Sequence, residues 1–419
     1  MSKGAKGEKS LKKMINKDKL VSEEKANYIG ALEINKYVKS MFHNKEEICK
    51  IIECRLLKDH ENEKKKNDYS YEYYVHYIDY NRRLDRWIQR KDIIIDDENI
   101  EQELKIREQK EEQEKLEMKP FQNDENEGYD KSRVIAHEEA TKVKTIDEIV
   151  IGQYKVDAWY FSPFPEGYHV HTLFFCEFCF TFFIEKTELN RHMNLCNLKH
   201  PPGNEIYRDD KISMFEVDGK YEEYYCENLC YIAKLFLDHK TLEYDVEPFL
   251  FYVLTEYDQF GYHFVGYFSK EKVSSEGNNL SCILVMPFCQ RKGYGKFLID
   301  FSYLLSKKEK TYGGPEHPLS DLGFSTYFSY WTQKLCLALK EFKEEVISIA
   351  KLQEITGIRY LDILRVLTDL ELLRCHEGQH IIVADGNILD QLYKKAGRAG
   401  YPLKPEKLIW TPYKLRYEF

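Results

Sequence analysis

SCILVMPFCQRKGYGKFLID, residues Ser281 to Asp300, passes from the composition of a buried strand to a glycine loop and then to a helix. The apolar run Cys282-Ile283-Leu284-Val285-Met286 predicts a strand. Gln290-Arg291-Lys292-Gly293-Tyr294-Gly295-Lys296 follows, and an apolar-periodic helix starts near Gly295 with Phe297, Leu298, Phe301, Leu304 and Leu305. Strand, glycine loop and helix N-terminus together form a layout that binds a pyrophosphate. Glycines let backbone N–H groups approach the anion, and the helix dipole favours its charge. Arg291, Lys292 and Lys296 add positive charge beside it. A phosphate-bearing ligand is expected here.

The spacing narrows that ligand. The loop has neither the GxxxxGK[ST] of a nucleotide P-loop nor the GxGxxG of a dinucleotide fold. Its Q-x-x-G-x-G, set by Gln290, Gly293 and Gly295, resembles the acetyl-coenzyme A loop of N-acetyltransferases.

A chain of 419 residues holds two or three domains, and 43% hydrophobic content with 14% aromatics is globular. No apolar run reaches the roughly 18 residues of a membrane span. The Lys-rich N-terminus lacks the apolar core of a secretory signal, so residues 1–27 are expected to be a disordered tail. A net charge of −9 argues against a protein devoted to DNA and suits basic partners such as histone tails. Eleven unevenly spaced cysteines suggest a reducing compartment.

Three of those cysteines form a pattern with a histidine. Cys176 and Cys179 are C-x2-C, twelve residues separate Cys179 from His192, and Cys196 follows His192 after three more. That is the spacing of a ββα finger with cysteine in the last place, a tetrahedral set for structural Zn²⁺. A helix over Glu188–Leu195 puts His192 and Cys196 on one face. Base-reading fingers come in tandem with polar helix starts; this one is single and rich in phenylalanine, so packing against a neighbouring domain is expected.

Upstream, Ile48–Leu56, Tyr71–Ile78 and Asp85–Ile88 read as strands of a small antiparallel barrel. Asp97–Lys119 reads as a solvent-exposed helix, and Pro120–Lys131 as an acidic, flexible continuation; together they serve as a linker. YYVHYIDYNRRLDRWIQRKDI closely resembles the chromo barrel, or tudor-knot, at the front of certain MYST acetyltransferases. The resemblance implies a chromatin contact. Its ligand is methyl-lysine in a cage of Tyr73, Tyr77 and Trp87, or RNA or DNA through Arg82 and Arg83. Arg86 stands where the family usually has an acidic residue, which tilts the reading toward nucleic acid.

WYFSPFP (Trp159–Pro165), the finger, HPPGNEIYRDDKISMFEVDG (His200–Gly219), NLCYIAKLFLDHKTLEYDVEPFLFYVL (Asn228–Leu254), the opening stretch and PLSDLG (Pro318–Gly323) resemble the MYST histone acetyltransferases, in the same order. With the barrel, the organisation is similar to the Esa/Tip/MOF branch. The fold this implies is multidomain α+β: a chromo barrel over 28–96, a linker over 97–140 and an acetyltransferase domain over 141–419. Within the last lie a zinc finger (174–199), a GNAT-like α/β acetyl-CoA core (226–331) and a winged-helix-like part (340–412).

The chemistry requires a base, because a free lysine ε-amine is almost wholly protonated near pH 7. The resemblance assigns that role to Glu316, in direct attack within a ternary complex, and gives Cys282 a supporting place as a candidate acetyl carrier. By the same matching, Ile283, Leu284 and Val285 bind the pantetheine arm through backbone groups, and Gln290 to Lys296 hold the pyrophosphate. Ser320 and Ser329 touch the coenzyme, and Lys240 is the autoacetylated lysine. Cys289, Val285 and His317 depart from the usual Tyr, Thr and Lys; Cys289 could be an oxidisable thiol by the cofactor. The second C-terminal helix is too acidic for a phosphate-reading role, and Trp410 is expected to be a packing anchor. The function implied is a nuclear, acetyl-CoA-dependent, zinc-containing acetyltransferase of nucleosomal histone tails, working in a multisubunit complex and without a membrane. A catalytically silent chromatin reader and a zinc-finger DNA-binding regulator are the alternatives.

Overall fold

The computed structural model describes residues 30–57, 67–117, 141–238, 240, 245–342, 347–376 and 379–413. The expected disordered tail (1–27) and acidic continuation (Pro120–Lys131) lie outside them. The chain divides into two compact units. One comprises Met1–Gln122 with Ala136–Val143, and the other Asn123–Ile135 with Lys144–Phe419.

In the first unit, β1 (Tyr37–Phe42), β2 (Lys45–Leu56), β3 (Tyr71–Tyr77), β4 (Arg86–Gln89) and β5 (Ile93–Ile94) form a sheet ordered β4-β3-β2-β1-β5. Two of these, β1 and β5, were not among the expected strands. Alternation buries Val38, Cys49, Ile51, Tyr73, Val75 and Tyr77 on the inner face. Helix α1 (Asp97–Glu117), expected as a solvent-exposed linker helix, is exposed at most of its described side chains but not at all of them. Ile100 is 2% exposed, Lys39 Nζ reaches Glu103 at 2.6 Å, and Arg107 Nη1 meets Asp79 at 2.5 Å. The start of the helix is docked on the barrel.

The second unit begins with β6 (Glu148–Ile151), β7 (Tyr154–Asp157), β8 (Thr172–Phe175) and β9 (Phe182–Phe183), in the order β7-β6-β8-β9, followed by α2 (Lys186–Leu195). The main sheet takes β10 (Asn204–Arg208), β11 (Ile212–Asp218), β12 (Phe249–Asp258), β13 (Gly261–Glu271) and β14 (Ile283–Val285) in chain order, with α3 (Glu223–Lys234) between β11 and β12. Its four pairings are all antiparallel. Helices α4 (Tyr294–Glu309) and α5 (Asp321–Glu341) follow. Next come α6 (Ile349–Thr356), α7 (Tyr360–Asp369), β15 (Leu373–His376), β16 (Gln379–Ile382) and α8 (Gly386–Lys395). The order α6, turn, α7, hairpin matches the winged-helix outline, and Gly357 makes the turn with φ +81°.

One apolar core runs through this unit, from Ile149 and Phe175 through Leu229, Val253, Tyr267, Phe297 and Trp331 to Val366 and Leu389. The zinc-finger end is part of it. Phe180 lies 4.8 Å from Tyr225 and 4.9 Å from Phe264, ring centre to ring centre. Trp410 is anchored as expected, its indole donating to Glu216 at 2.6 Å.

Candidate active site and metal centre

The strand of the opening stretch is short and lies at the edge of the main sheet. Its residues pair as Phe268 with Ile283, Tyr267 with Leu284 and Gly266 with Val285. At Gly266 a side-chain carbon would come within 2.4 Å of the Leu284 carbonyl, so glycine is what lets the strands close. A 3-10 turn over Pro287–Cys289 then leads into the loop, where the Gln290 amide donates to the Val285 carbonyl at 3.0 Å. Gly293 caps α4 at φ +92°, and a side-chain carbon there would lie 2.7 Å from the Tyr401 nitrogen. The helix start therefore needs glycine twice over, for its dihedral and for its neighbour. Arg291 and Lys292 are exposed beside this N-terminus.

Lys296 is placed differently from the expectation of charge beside the loop. Its ammonium donates to Gln333 Oε1 at 2.9 Å and to the Arg398 carbonyl at 2.7 Å. Burial lowers its pKa. The Ser329 hydroxyl donates to the Ala396 carbonyl, and Ser320 caps α5 by accepting from Gly323 N at 3.1 Å. Tyr294 is buried, with its hydroxyl on Glu256. These four side chains hold the frame around the loop. Cys289 is likewise buried, its thiol pushed up to about 11 by desolvation. A protonated, enclosed thiol is inert, so the suggested oxidisable group by the cofactor is withdrawn.

Cys282 and the Glu316 loop come together through the backbone. Just before β14, Ser281 N bonds Ser269 O at 2.8 Å and Cys282 N bonds Ser269 Oγ at 3.1 Å. Beside them, Leu280 pairs in parallel with Pro315, and Glu316 N donates to Leu280 O at 2.8 Å. The backbone of an exposed glutamate is thus fixed beside Leu280, two residues along the chain from the half-buried thiol. Lys240 enters from the connection after α3 and donates to Cys282 Sγ at 3.3 Å. Cys230 of α3, raised by burial, neighbours both. No spacing in the chain points to this thiol, which lies 52 residues from Cys282 on a helix.

The four finger residues converge. The ligand atoms of Cys176, Cys179, His192 and Cys196 all lie within 4.8 Å of one another. Cys176 Sγ and Cys196 Sγ are 3.9 Å apart, and Cys179 Sγ is 3.2 Å from His192 Nε2. Three sulfurs and an imidazole at those separations are a tetrahedron of the size Zn²⁺ fills, with Zn–S near 2.3 Å. Hydrogen bonding from Cys176 holds the Cys179 thiol below its ordinary pKa, the direction a zinc ligand needs.

In the barrel, the expected aromatic cage is not an open one. Tyr73 and Tyr77 are 0% exposed. Tyr73 Oη donates to the Asp68 carbonyl at 2.8 Å. The Arg86 guanidinium lies 5.2 Å from the centre of Phe42 and 5.7 Å from that of Tyr77. Arg55 lies 4.0 Å over Trp87. The barrel's own arginines lie over the rings of Tyr77 and Trp87, two of the three expected cage residues, where a methylammonium would sit.

Comparison with known proteins agrees with this arrangement. The MOZ/SAS family profile matches residues 200–408, the MYST family zinc finger domain residues 143–196, and the tudor-knot, described as an RNA binding activity-knot of a chromodomain, residues 32–95. Histone acetyltransferase of the MYST family 2 from Arabidopsis thaliana is 53% identical over 352 residues, covering 82% of this chain and 78% of that protein. The chain belongs to the MYST family. Histone acetyltransferase ESA1 from Saccharomyces cerevisiae is 40% identical over 383 residues, 81% of this chain and 86% of its own length. The family's finger and acetyltransferase matches fall on the unit that contains the Cys3His cluster and the β14–α4 loop, and the tudor-knot match on the barrel.

Proposed function

We propose that this MYST chain is an acetyl-CoA-dependent lysine acetyltransferase acting in the nucleus on the tails of nucleosomal histones, within a multisubunit complex. One observation carries it: the Glu316 loop is pinned by backbone to the strand that leads, through Cys282, into the β14–α4 coenzyme loop. Acetyl-CoA supplies an activated thioester when bound. The three β14 residues offer their open edge to the amides of its pantetheine arm, and the Gly293–Lys296 turn offers a helix N-terminus to the pyrophosphate. Among the loop's cations, Arg291 and Lys292 serve the phosphates; Lys296 shapes the loop from behind. Glu316 takes the proton from the substrate ammonium, and the amine then attacks the thioester carbonyl directly; the C–S bond breaks as the new amide forms, and coenzyme A leaves as the thiol, its sulfur taking up a proton. Cys282, tied to Lys240, supports the pocket rather than carrying the acetyl group, and Lys240 is the site of autoacetylation.

Zinc holds the finger closed as a structural ion, with Cys176, Cys179, His192 and Cys196 as ligands. The barrel engages chromatin, and its arginine-covered rings favour RNA or DNA over methyl-lysine. Incubating the whole chain with labelled acetyl-CoA and core histones tests the reading. Label on histone lysines is the expected result. No transfer, alone or with nucleosomes and accessory subunits, overturns it in favour of a silent scaffold.

A further inference from the structure

Arg359 stands at the N-cap of α7, where a short acceptor such as Ser, Thr, Asp or Asn is favoured. It makes no side-chain cap hydrogen bond there. The guanidinium instead reaches across the unit. Nη2 donates to the Pro315 carbonyl at 2.7 Å, Nη1 to Asn278 Oδ1 at 2.8 Å, and Nε to Asp362 Oδ2 at 3.2 Å. Asn278 and Asp362 are 7% and 6% exposed. The Pro315 carbonyl belongs to the peptide that carries the Glu316 nitrogen.

The surrounding backbone is shaped to admit this side chain. A side-chain carbon at Gly314 would lie 2.3 Å from Arg359 Nε and 2.5 Å from Asp362 Oδ2, so only glycine leaves room for the fork. Arg359 N also bonds Gly313 O at 3.2 Å, and Asn279 N bonds Gly314 O at 2.9 Å. Residues 313–316 are thus held on one side by the segment before β14 and on the other by Arg359. Gly313-Gly314-Pro315 has no hydrogen-bonding side chain of its own with which to fix its position.

We propose that Arg359 is a positioning residue for acetyl transfer: its guanidinium clamps the Pro315–Glu316 peptide and so sets where the Glu316 carboxylate stands. This rests on the reading of Glu316 as the general base. A planar fork with donors in fixed directions is required, because the three acceptors lie on three different segments. Lysine, a single compact charge, cannot span them. The ion pair with Asp362 keeps the fork in plane, and the buried Asp362 carboxylate has Arg359 as its partner.

The experiment is steady-state kinetics on the whole chain. Arg359→Ala is expected to lower kcat about 10- to 100-fold, the cost of a base displaced by about 1 Å, with KM for acetyl-CoA within about twofold. Low millimolar guanidinium is expected to restore several-fold activity to Arg359→Ala, sodium chloride of equal ionic strength none, and Arg359→Lys to remain slow. Unchanged kcat in Arg359→Ala overturns the clamp. If that variant does not fold, Asn278→Ala carries the test, since it removes one acceptor and leaves the ion pair: a fall in kcat with KM for acetyl-CoA unchanged supports the clamp, and unchanged kcat overturns it. Adding Arg359→Ala to Glu316→Gln should cost little more than Glu316→Gln alone; a full additive loss means Arg359 acts elsewhere, and overturns the proposal. Full activity in Glu316→Gln itself sinks the base reading, whereas an inactive Glu316→Gln beside an active Arg359→Ala sinks the clamp alone.

Discussion

Glu316 and Cys282 make separable demands. If Glu316 is the base, Glu316→Gln keeps the loop's backbone contacts and loses the proton acceptor. Turnover near neutral pH should fall by about 100-fold or more while acetyl-CoA binding, read by calorimetry, persists. Near-normal activity in that variant refutes the assignment. Direct attack predicts that Cys282→Ala keeps turnover within about fivefold, whereas a covalent acetyl-cysteine route predicts its complete loss. Rapid-quench trapping of labelled protein separates the two. At this scale the sequence was readable only in part. A glutamate in a loop carries no signal of its own, and resemblance alone singled out Glu316. Sequence reports a charge and not its direction: the carbonyl that takes the Lys296 ammonium comes from a residue about 100 positions later. The Arg359 fork was invisible for the same reason, its acceptors lying 44 and 81 residues away.

Elements were easier to foresee where their period was strong. The β14–α4 junction and the α6–α7 pair followed from apolar spacing and glycines, and α2 from the spacing of the metal-ligating cysteines and histidine. Strand β1 was missed because its alternation in YVKSMF turns a serine inward: Ser40 is buried while Met41 is exposed. Helix α1 was read as exposed because its docking relies on one isoleucine and on ion pairs, which look like those of any solvated helix. Two predictions belong here. Glu148 joins β6 to β8: burial raises its pKa, but Lys155 and Thr172 outweigh that and leave it lowered. A lowered carboxylate stabilises the fold above its unfolded value near 4.5, and that contribution fades as pH falls through the folded value. The melting temperature of Glu148→Gln should therefore lie below that of the parent at pH 6 to 7 and converge with it in acid. A constant difference down to pH 3 contradicts this. The second concerns the finger. Cys176→Ser should take zinc from about one ion per chain to near zero by metal analysis, and should lower the melting temperature, because metal binding at such a site is folding free energy.

At the scale of the molecule, the barrel and the catalytic unit were each legible from dense motifs, whereas the barrel's ligand was not. Whether aromatic faces are open or covered depends on neighbours such as Arg86, whose partners Phe42 and Met41 lie on another strand. If the barrel serves chromatin engagement, a chain lacking residues 1–96 should acetylate free histones at close to the parent rate and lose several-fold on nucleosomes. Equal loss on both substrates argues against that role. The edge of the main sheet bears on a different matter, the protein's solubility. An unpaired strand edge invites other chains to add to it, and natural sheets guard against such self-association. Here β14 is three residues long, about 10 Å of ladder at 3.4 Å per residue. One of its carbonyls, on Val285, is already taken by Gln290. So brief a template is too short to nucleate a stack of strands, yet long enough for a ligand with a pair of amides. If β14 takes the amides of the coenzyme's arm, the protein can leave that edge open without offering it to copies of itself.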